Sequence, residues 1–188
     1  MNTVLRAALR ALLLVLPLAA RADPQTWTAV PAESELQFSA YYEGEELSGR
    51  FAAFTVTVET DGDTGAPTAL VVEVETASAD MSDREINAEI DEPEWFDVAS
   101  FPTARFEAHD IRPAEPGYVA VGRLQLKGID QSLDLPLAWE REGDSAGLTG
   151  SIRMSRQEWR IGTGEWSNDA SLSDRVDLRW RVKLVPAD

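Results

Sequence analysis

Val176-Asp177-Leu178-Arg179-Trp180-Arg181-Val182-Lys183-Leu184 sets an apolar side chain at every second position and a charged one between each pair. Successive side chains of a strand point to opposite faces, so this stretch reads as a strand with one face in a core and the other in water. The same period runs back through the chain. Leu133, Leu135, Leu137 and Trp139 alternate with Ser132, Asp134, Pro136 and Ala138, and Leu70, Val72 and Val74 alternate with Val71, Glu73 and Glu75. Five segments carry the pattern less strictly: Glu35 to Tyr42, Phe51 to Glu59, Thr103 to Ile111, Tyr118 to Leu126 and Gly147 to Met154. About eight strands is the usual count for a small closed barrel. Alternation alone suits a sandwich equally well, because both architectures bury one face of each sheet.

The links between these segments have turn chemistry. Asp61-Gly62-Asp63-Thr64-Gly65, Glu115-Pro116-Gly117, Lys127-Gly128-Ile129-Asp130 and Glu142-Gly143-Asp144 predict hairpins between antiparallel neighbours. One insertion breaks the rhythm. Ser82-Asp83-Arg84-Glu85 matches a capping box, which predicts a short helix running to about Ile90. Pro93 suits the first turn of a second short helix through Trp95-Phe96, ended by Phe101-Pro102. Such helices would cap one end of a barrel.

The 188 residues suit one domain with a substantial core. The first 22 residues have the form of a secretion signal, with Arg6 and Arg10 ahead of the apolar run 11–20 and Ala20-Arg21-Ala22 as a small-residue cleavage site. That run is shorter than the roughly 18 to 20 residues needed to span a bilayer. A mature chain from Asp23 through residue 188, periplasmic and without a membrane span, is the expectation. Removing Arg6, Arg10 and Arg21 leaves 14 basic residues against 33 acidic ones, a net charge of −19. Such a field repels nucleic acid and anionic lipid surfaces. Acidic clusters such as Glu43, Glu45, Glu46 and Glu89, Asp91, Glu92, Glu94 read as solvated faces.

Catalytic constellations are hard to assemble from this chain. It has no cysteine, which removes disulfides, thiolate ligands and thiol nucleophiles, and its one histidine, His109, falls in the outward register with Arg105 and Glu107. One histidine and scattered carboxylates give no metal-ligand spacing. Gly162-Thr163-Gly164 is followed by Glu165-Trp166 rather than by a basic residue or helix start, so it reads as a turn rather than a phosphate cradle. No catalytic and no metal residue is assigned, and no cofactor is required.

Six blocks in order give the chain a resemblance to the YceI-like family of lipocalin-like, polyisoprenoid-binding proteins. They are Trp27 ahead of Ser34-Glu35-Leu36-Gln37-Phe38; Gly49-Arg50-Phe51-Ala52-Ala53-Phe54; Ser78 before the segment 83–90; Glu94-Trp95-Phe96-Asp97 with Phe101-Pro102-Thr103-Ala104-Arg105-Phe106; Gly122-Arg123-Leu124-Gln125-Leu126-Lys127-Gly128; and the run from Arg156-Gln157-Glu158-Trp159 to Gly164-Glu165-Trp166. The resemblance implies an all-β, antiparallel, closed barrel whose bore holds an isoprenoid tail, that of a quinone or a polyprenol. It also makes a membrane redox partner of the cytochrome b561 type a plausible context. The chain departs from the family at Ala40-Tyr41-Tyr42-Glu43, where many members carry a histidine and this sequence continues into an acidic loop. The head-group end of the site therefore does not carry over.

Taken with the inward register, the expected lining is Phe38, Phe54, Val72, Val74, Phe106, Leu124, Leu126, Leu135, Leu137, Trp139, Ile152, Leu178 and Trp180, joined near strand ends by Trp95, Phe96, Trp159 and Trp166. Any one of the tryptophans could simply fill the core. Two other functions compete with binding: a lipid-modifying periplasmic enzyme using His109 or a buried carboxylate, and an interaction module whose bore is fully packed.

Overall fold

The computed structural model describes residues 22–168 and 171–187. The proposed signal segment lies outside them except for its last residue. Eleven strand segments form one sheet: β1 (Gln25–Ala29), β2 (Glu35–Tyr42), β3 (Glu45–Phe51), β4 (Phe54–Thr60), β5 (Pro67–Glu75), β6 (Ala79–Asp80), β7 (Thr103–Ala114), β8 (Gly117–Leu126), β9 (Ile129–Glu142), β10 (Ser145–Ser155) and β11 (Leu172–Pro186). A single α-helix, α1 (Arg84–Ile90), stands among the described residues.

Register explains how eleven segments make an eight-stranded barrel. β1 and β2 both lie antiparallel along β11, with Trp27 opposite Pro186, Ala29 opposite Leu184, Glu35 opposite Arg181 and Tyr42 opposite Leu172. They are one strand interrupted by a 3-10 turn at Pro31–Glu33. β3 and β4 follow that strand in turn, Arg50 opposite Gln37 and Val58 opposite Trp27, and break at Ala52-Ala53. β5 and β6 follow next, Val72 opposite Val56 and Asp80 opposite Arg50, and break at Thr76–Ser78. β7 to β11 add the remaining strands as antiparallel neighbours, and the pairing of β1 with β11 closes the ring. Closure removes the exposed sheet edges that an open arrangement would leave, and decides for the barrel over the sandwich. Where the ring closes, Ala187 N donates to Thr26 O at 2.9 Å, so the two ends of the barrel's chain lie side by side.

Three local expectations change. Glu43-Gly44 is a two-residue hairpin turn rather than part of an acidic loop. Both residues have positive φ (50° and 87°), and Tyr42 pairs with Glu45 across the turn. The helix cap is Asp83, not Ser82: its carboxylate accepts from Glu85 N and Ile86 N, so the helix starts one residue later than a serine cap implies. The second helix does not form. Trp95 N and Asp97 N both donate to Glu92 O, while Phe96 N reaches back to Ile90 O, so residues 92–98 close turns of differing span instead of a repeating ladder.

The barrel is packed at one end only. Trp27, Val58, Leu70, Ala120 and Leu184 are essentially inaccessible, and Trp27 meets the Trp139 ring edge-on at 5.7 Å. Each of these two indoles finds an acceptor, Trp27 in Thr60 Oγ1 and Trp139 in the Gly65 carbonyl. Halfway up, a side chain at Gly150 would collide with the Trp180 ring and the Pro136 carbonyl, so glycine there leaves room for the indole of its cross-strand partner.

Candidate ligand-binding cavity

Above that floor the strands enclose a cavity of about 690 Å³, with a deeper void of about 90 Å³ sharing Leu36, Val74, Ala104, Leu124, Met154 and Leu178 as wall residues. The larger volume lies within the roughly 300–1,000 Å³ typical of small-molecule sites. Its mouth is built by three elements. α1 places Ile86 and Ile90, four residues apart and so on one face, over the opening. Asn87 on the same helix accepts from Met81 N and donates to Asp80 Oδ1, tying α1 to β6. Thr76 Oγ1 donates to Phe101 O, which fastens the turn after β5 to the loop that follows the Trp95-Phe96 block.

The third element is the segment between β10 and β11. Arg156 is 4 % exposed, and its guanidinium donates to five main-chain carbonyls: Nε to Ser173, Nη1 to Ile161 and Gly162, Nη2 to Trp166 and Leu172, at 2.7–3.0 Å. This matches the five N–H donors of an arginine with five acceptors. Gly162 N and Thr163 N donate in turn to Glu94 O, locking this segment onto the Trp95-Phe96 turn. The Gly162-Thr163-Gly164 stretch is thus a structural turn, with φ of 69° and 63° at its glycines. Beside it, burial pushes the Lys127 ammonium below its ordinary range despite the opposing pull of Asp97 and Glu94, and Lys127 Nζ donates to Arg160 O.

An aromatic collar lines the opening. Phe38 and Phe51 lie 5.0 Å apart, Phe51 and Phe96 5.9 Å, Trp95 and Trp166 5.5 Å, and Tyr42 and Trp166 6.3 Å between ring centroids. The rim is acidic: Glu85, Glu89 and Glu165 border the cavity and are exposed, so it opens to solvent there.

The expected lining residues divide by height. Phe38, Val74, Trp95, Phe96, Leu124, Leu126, Trp159, Trp166 and Leu178 border the large cavity, while Phe54, Val72, Phe106, Leu135 and Trp180 border the deeper void. Leu137, Trp139 and Ile152 border neither. Leu137 is buried in the packed half and Trp139 packs against Trp27 there; Ile152 packs against the core beyond Thr149, the last residue of β10 that pairs with β9. Wall residues that alternation did not single out include Tyr42, Leu47, Phe51, Met81, Arg156 and Ile161. The Ile86/Ile90 spacing on the predicted helix was the one signal in the sequence that could have found the lid.

His109 lies outside all of this. It is the extra residue where the β7–β8 pairing slips between Ala108 and Asp110, and its side chain is 71 % exposed, with Nε2 2.8 Å from Glu107 Oε1. The Glu107 carboxyl is held below the ordinary carboxylate range by hydrogen bonds from His109 and then Arg105. These are surface pairs of small energetic worth. Replacing His109 with alanine is therefore expected to leave ligand affinity within about twofold and the melting temperature within a degree or two, read by titration and thermal denaturation. A large loss of binding with the fold intact would restore a site at His109. No group of three or more potential ligand side chains capable of holding a metal occurs among the described residues, nor any helix long and apolar enough to cross a membrane.

Comparison with known proteins agrees with this architecture. The chain superposes on Burkholderia cenocepacia BcnA with a TM-score of 0.78 at 24 % identity, covering 82 % of this chain and 98 % of that one. A polyisoprenoid binding domain from Saccharophagus degradans, implicated in plant cell wall breakdown, superposes with a TM-score of 0.69 at 12 % identity, covering 87 % and 99 %. The YCEI protein of Campylobacter jejuni gives 0.69 at 14 % identity over 77 % and 86 %. No curated protein matches. The sequence profile of the YceI-like domain matches residues 27–184, the whole barrel from β1 into β11, and the chain belongs to the YceI-like domain family.

Proposed function

We propose that this protein binds the isoprenoid tail of a lipid, such as a quinone or polyprenol, inside its barrel, without catalysing a reaction, and carries, stores or presents it in the periplasm. The observation that carries this reading is the cavity of about 690 Å³, walled almost wholly by apolar side chains and open at an acidic rim. The description of the Saccharophagus degradans domain as polyisoprenoid-binding supports it. The cavity also speaks against the packed interaction module. The outward His109 speaks against an enzyme built on it.

Affinity is expected to rise with tail length and then level off. Each buried methylene contributes about 0.8 kcal/mol before ordering costs, so one five-carbon unit contributes on the order of a few kcal/mol until the bore is full. Titrating the delipidated protein with quinones of one to ten isoprene units, followed by tryptophan fluorescence, checks this. Affinity independent of length, or no binding by any member of the series, would remove the assignment.

Export is the second component of the reading. N-terminal sequencing of the protein from the periplasmic fraction is expected to begin Asp23-Pro24, since Ala20-Arg21-Ala22 precedes it. Recovery of the uncut chain from the membrane contradicts export as a soluble protein. A membrane redox partner of the cytochrome b561 type fits a quinone-presenting role.

A further inference from the structure

The cavity and the void beneath it are stacked in register. On β11, Leu172, Val176 and Leu178 line the cavity, Leu178, Trp180 and Val182 line the void, and Leu184 lies below both with no accessible surface. β7 repeats the order, with Ala104 bordering both spaces, Phe106 the void alone and Ala108 the packed end. A tail threaded from the mouth therefore meets the void last.

Every residue around the void is apolar, so a water molecule would find no polar partner there and only an apolar occupant suits it. Each of the eight barrel strands contributes to its wall, which puts it across the axis of the bore rather than in a side channel. At roughly 30 Å³ for each water-sized group, its volume of about 90 Å³ takes about three carbon atoms. That matches the end of an isoprenoid tail, where one carbon bears two methyl groups. A straight chain ending there fills the axis and leaves the sides without contacts.

The size of this space depends on how its rings lie. A side chain at Gly150 would collide with the Trp180 ring, and one at Gly122 with the Phe106 ring. Gly150 pairs directly with Trp180, and Gly122 stands two residues along β8 from Leu124, the partner of Phe106. Both rings thus occupy room above a glycine on the neighbouring strand, and a larger residue at either glycine would turn the ring toward the axis.

We infer that the deeper void is the seat of the forked, dimethyl end of the tail, and that Phe106 and Trp180, laid over Gly122 and Gly150, set its size. This rests on the cavity receiving an isoprenoid tail. The void then selects both for a branched terminus and for the tail length that delivers it, and filling it strengthens binding by about ten- to thirtyfold.

The test uses quinones whose tails differ only at the far end, the last unit closing in the dimethyl fork or in an unbranched chain of equal length. Calorimetric titration of the delipidated protein is expected to favour the forked end by about fivefold, at the shortest tail that gives full affinity. Val72 borders the void and not the cavity, so Val72→Phe puts a ring into the void. That variant is expected to lose the preference, to bind full-length tails about tenfold more weakly, and to level off about one isoprene unit earlier. Trp180→Phe acts in the opposite sense, enlarging the void and moving the plateau about one unit later. Circular dichroism establishes that each variant is folded, and should Val72→Phe not fold, the Trp180→Phe plateau decides. Equal binding of forked and unbranched tails by the wild type overturns the inference and leaves tail binding standing. So does a folded Val72→Phe that keeps the preference, or a Trp180→Phe plateau that does not move. Failure of every quinone to bind overturns the tail reading itself, and the inference with it.

Discussion

Arg156→Met is expected to lower the unfolding free energy by about 3–5 kcal/mol, the largest stability effect available from a polar side chain in this protein. The substitution keeps an unbranched chain of similar volume and removes all five donors. The carbonyls of Ile161, Gly162, Trp166, Leu172 and Ser173 then lose a shared partner at once, and three of the five contacts, those to Ile161, Gly162 and Leu172, are buried. Domains of this size are stable by only about 5–15 kcal/mol, so the loss is a large share of the whole. Arg156→Lys should rescue little, because one ammonium cannot reach carbonyls that surround a planar fork. Urea denaturation measures the effect as a fall in midpoint at unchanged slope. Ligand affinity should fall alongside, since the same guanidinium positions Trp159 and Trp166. A shift below about 1 kcal/mol would mean that the mouth is held chiefly by other contacts.

The second large effect separates the hollow half of the barrel from the packed half. Leu124 is half-buried and borders both the cavity and the void beneath it; Leu137 is 5 % exposed in the packed end. A carboxylate at position 124 can keep water around it until a tail arrives, so Leu124→Asp is expected to fold but to bind long isoprenoids more than about a hundredfold more weakly, because the tail must desolvate the charge. Leu137→Asp has no such refuge. It removes a packed side chain and buries an unpaired carboxylate, and should cost about 4 kcal/mol or more, enough to leave much of the protein unfolded. Circular dichroism melts and quinone titration distinguish the two variants. Unimpaired binding by Leu124→Asp would place the ligand elsewhere, and a stable Leu137→Asp would mean that the lower barrel is wetter than its packing indicates.

The contrast between Leu124 and Leu137 also marks how far the sequence could be read. Alternation made both inward-facing, correctly, because the period of two is a property of the strand itself. It could not state height along the bore, which depends on register between strands and on where large rings such as Trp180 meet a glycine on the neighbouring strand. β1 and β6 escaped notice for a related reason: each continues a strand past a break, and five or two residues offer too few alternations to be seen, while in β3 the inward position between Leu47 and Phe51 is Gly49, which interrupts the apolar period. The mouth was the least legible part. α1 announced itself through its capping residues, but the five-carbonyl cradle of Arg156 joins residues brought together by turns, and nothing in a run such as Arg156-Gln157-Glu158-Trp159 distinguishes a buried arginine from a solvated one.

Closure between β1 and β11 sets the ends of the barrel's chain side by side at its base, at the pole opposite the mouth. Anything fused to either end is consequently a leash on the bottom of the molecule. β11, at 15 residues and with the usual strand tilt, gives a barrel roughly 40 Å tall. A flexible linker of about 20 residues has an average reach of only about 25 Å. Tethered by so short a leash to a bilayer or bead, the barrel would hold its mouth outward, toward cargo arriving from solution. To turn over and exchange lipid with the surface that holds it, the leash would have to outreach the barrel's own height, which makes linker length a steering parameter for any surface-attached version of this protein.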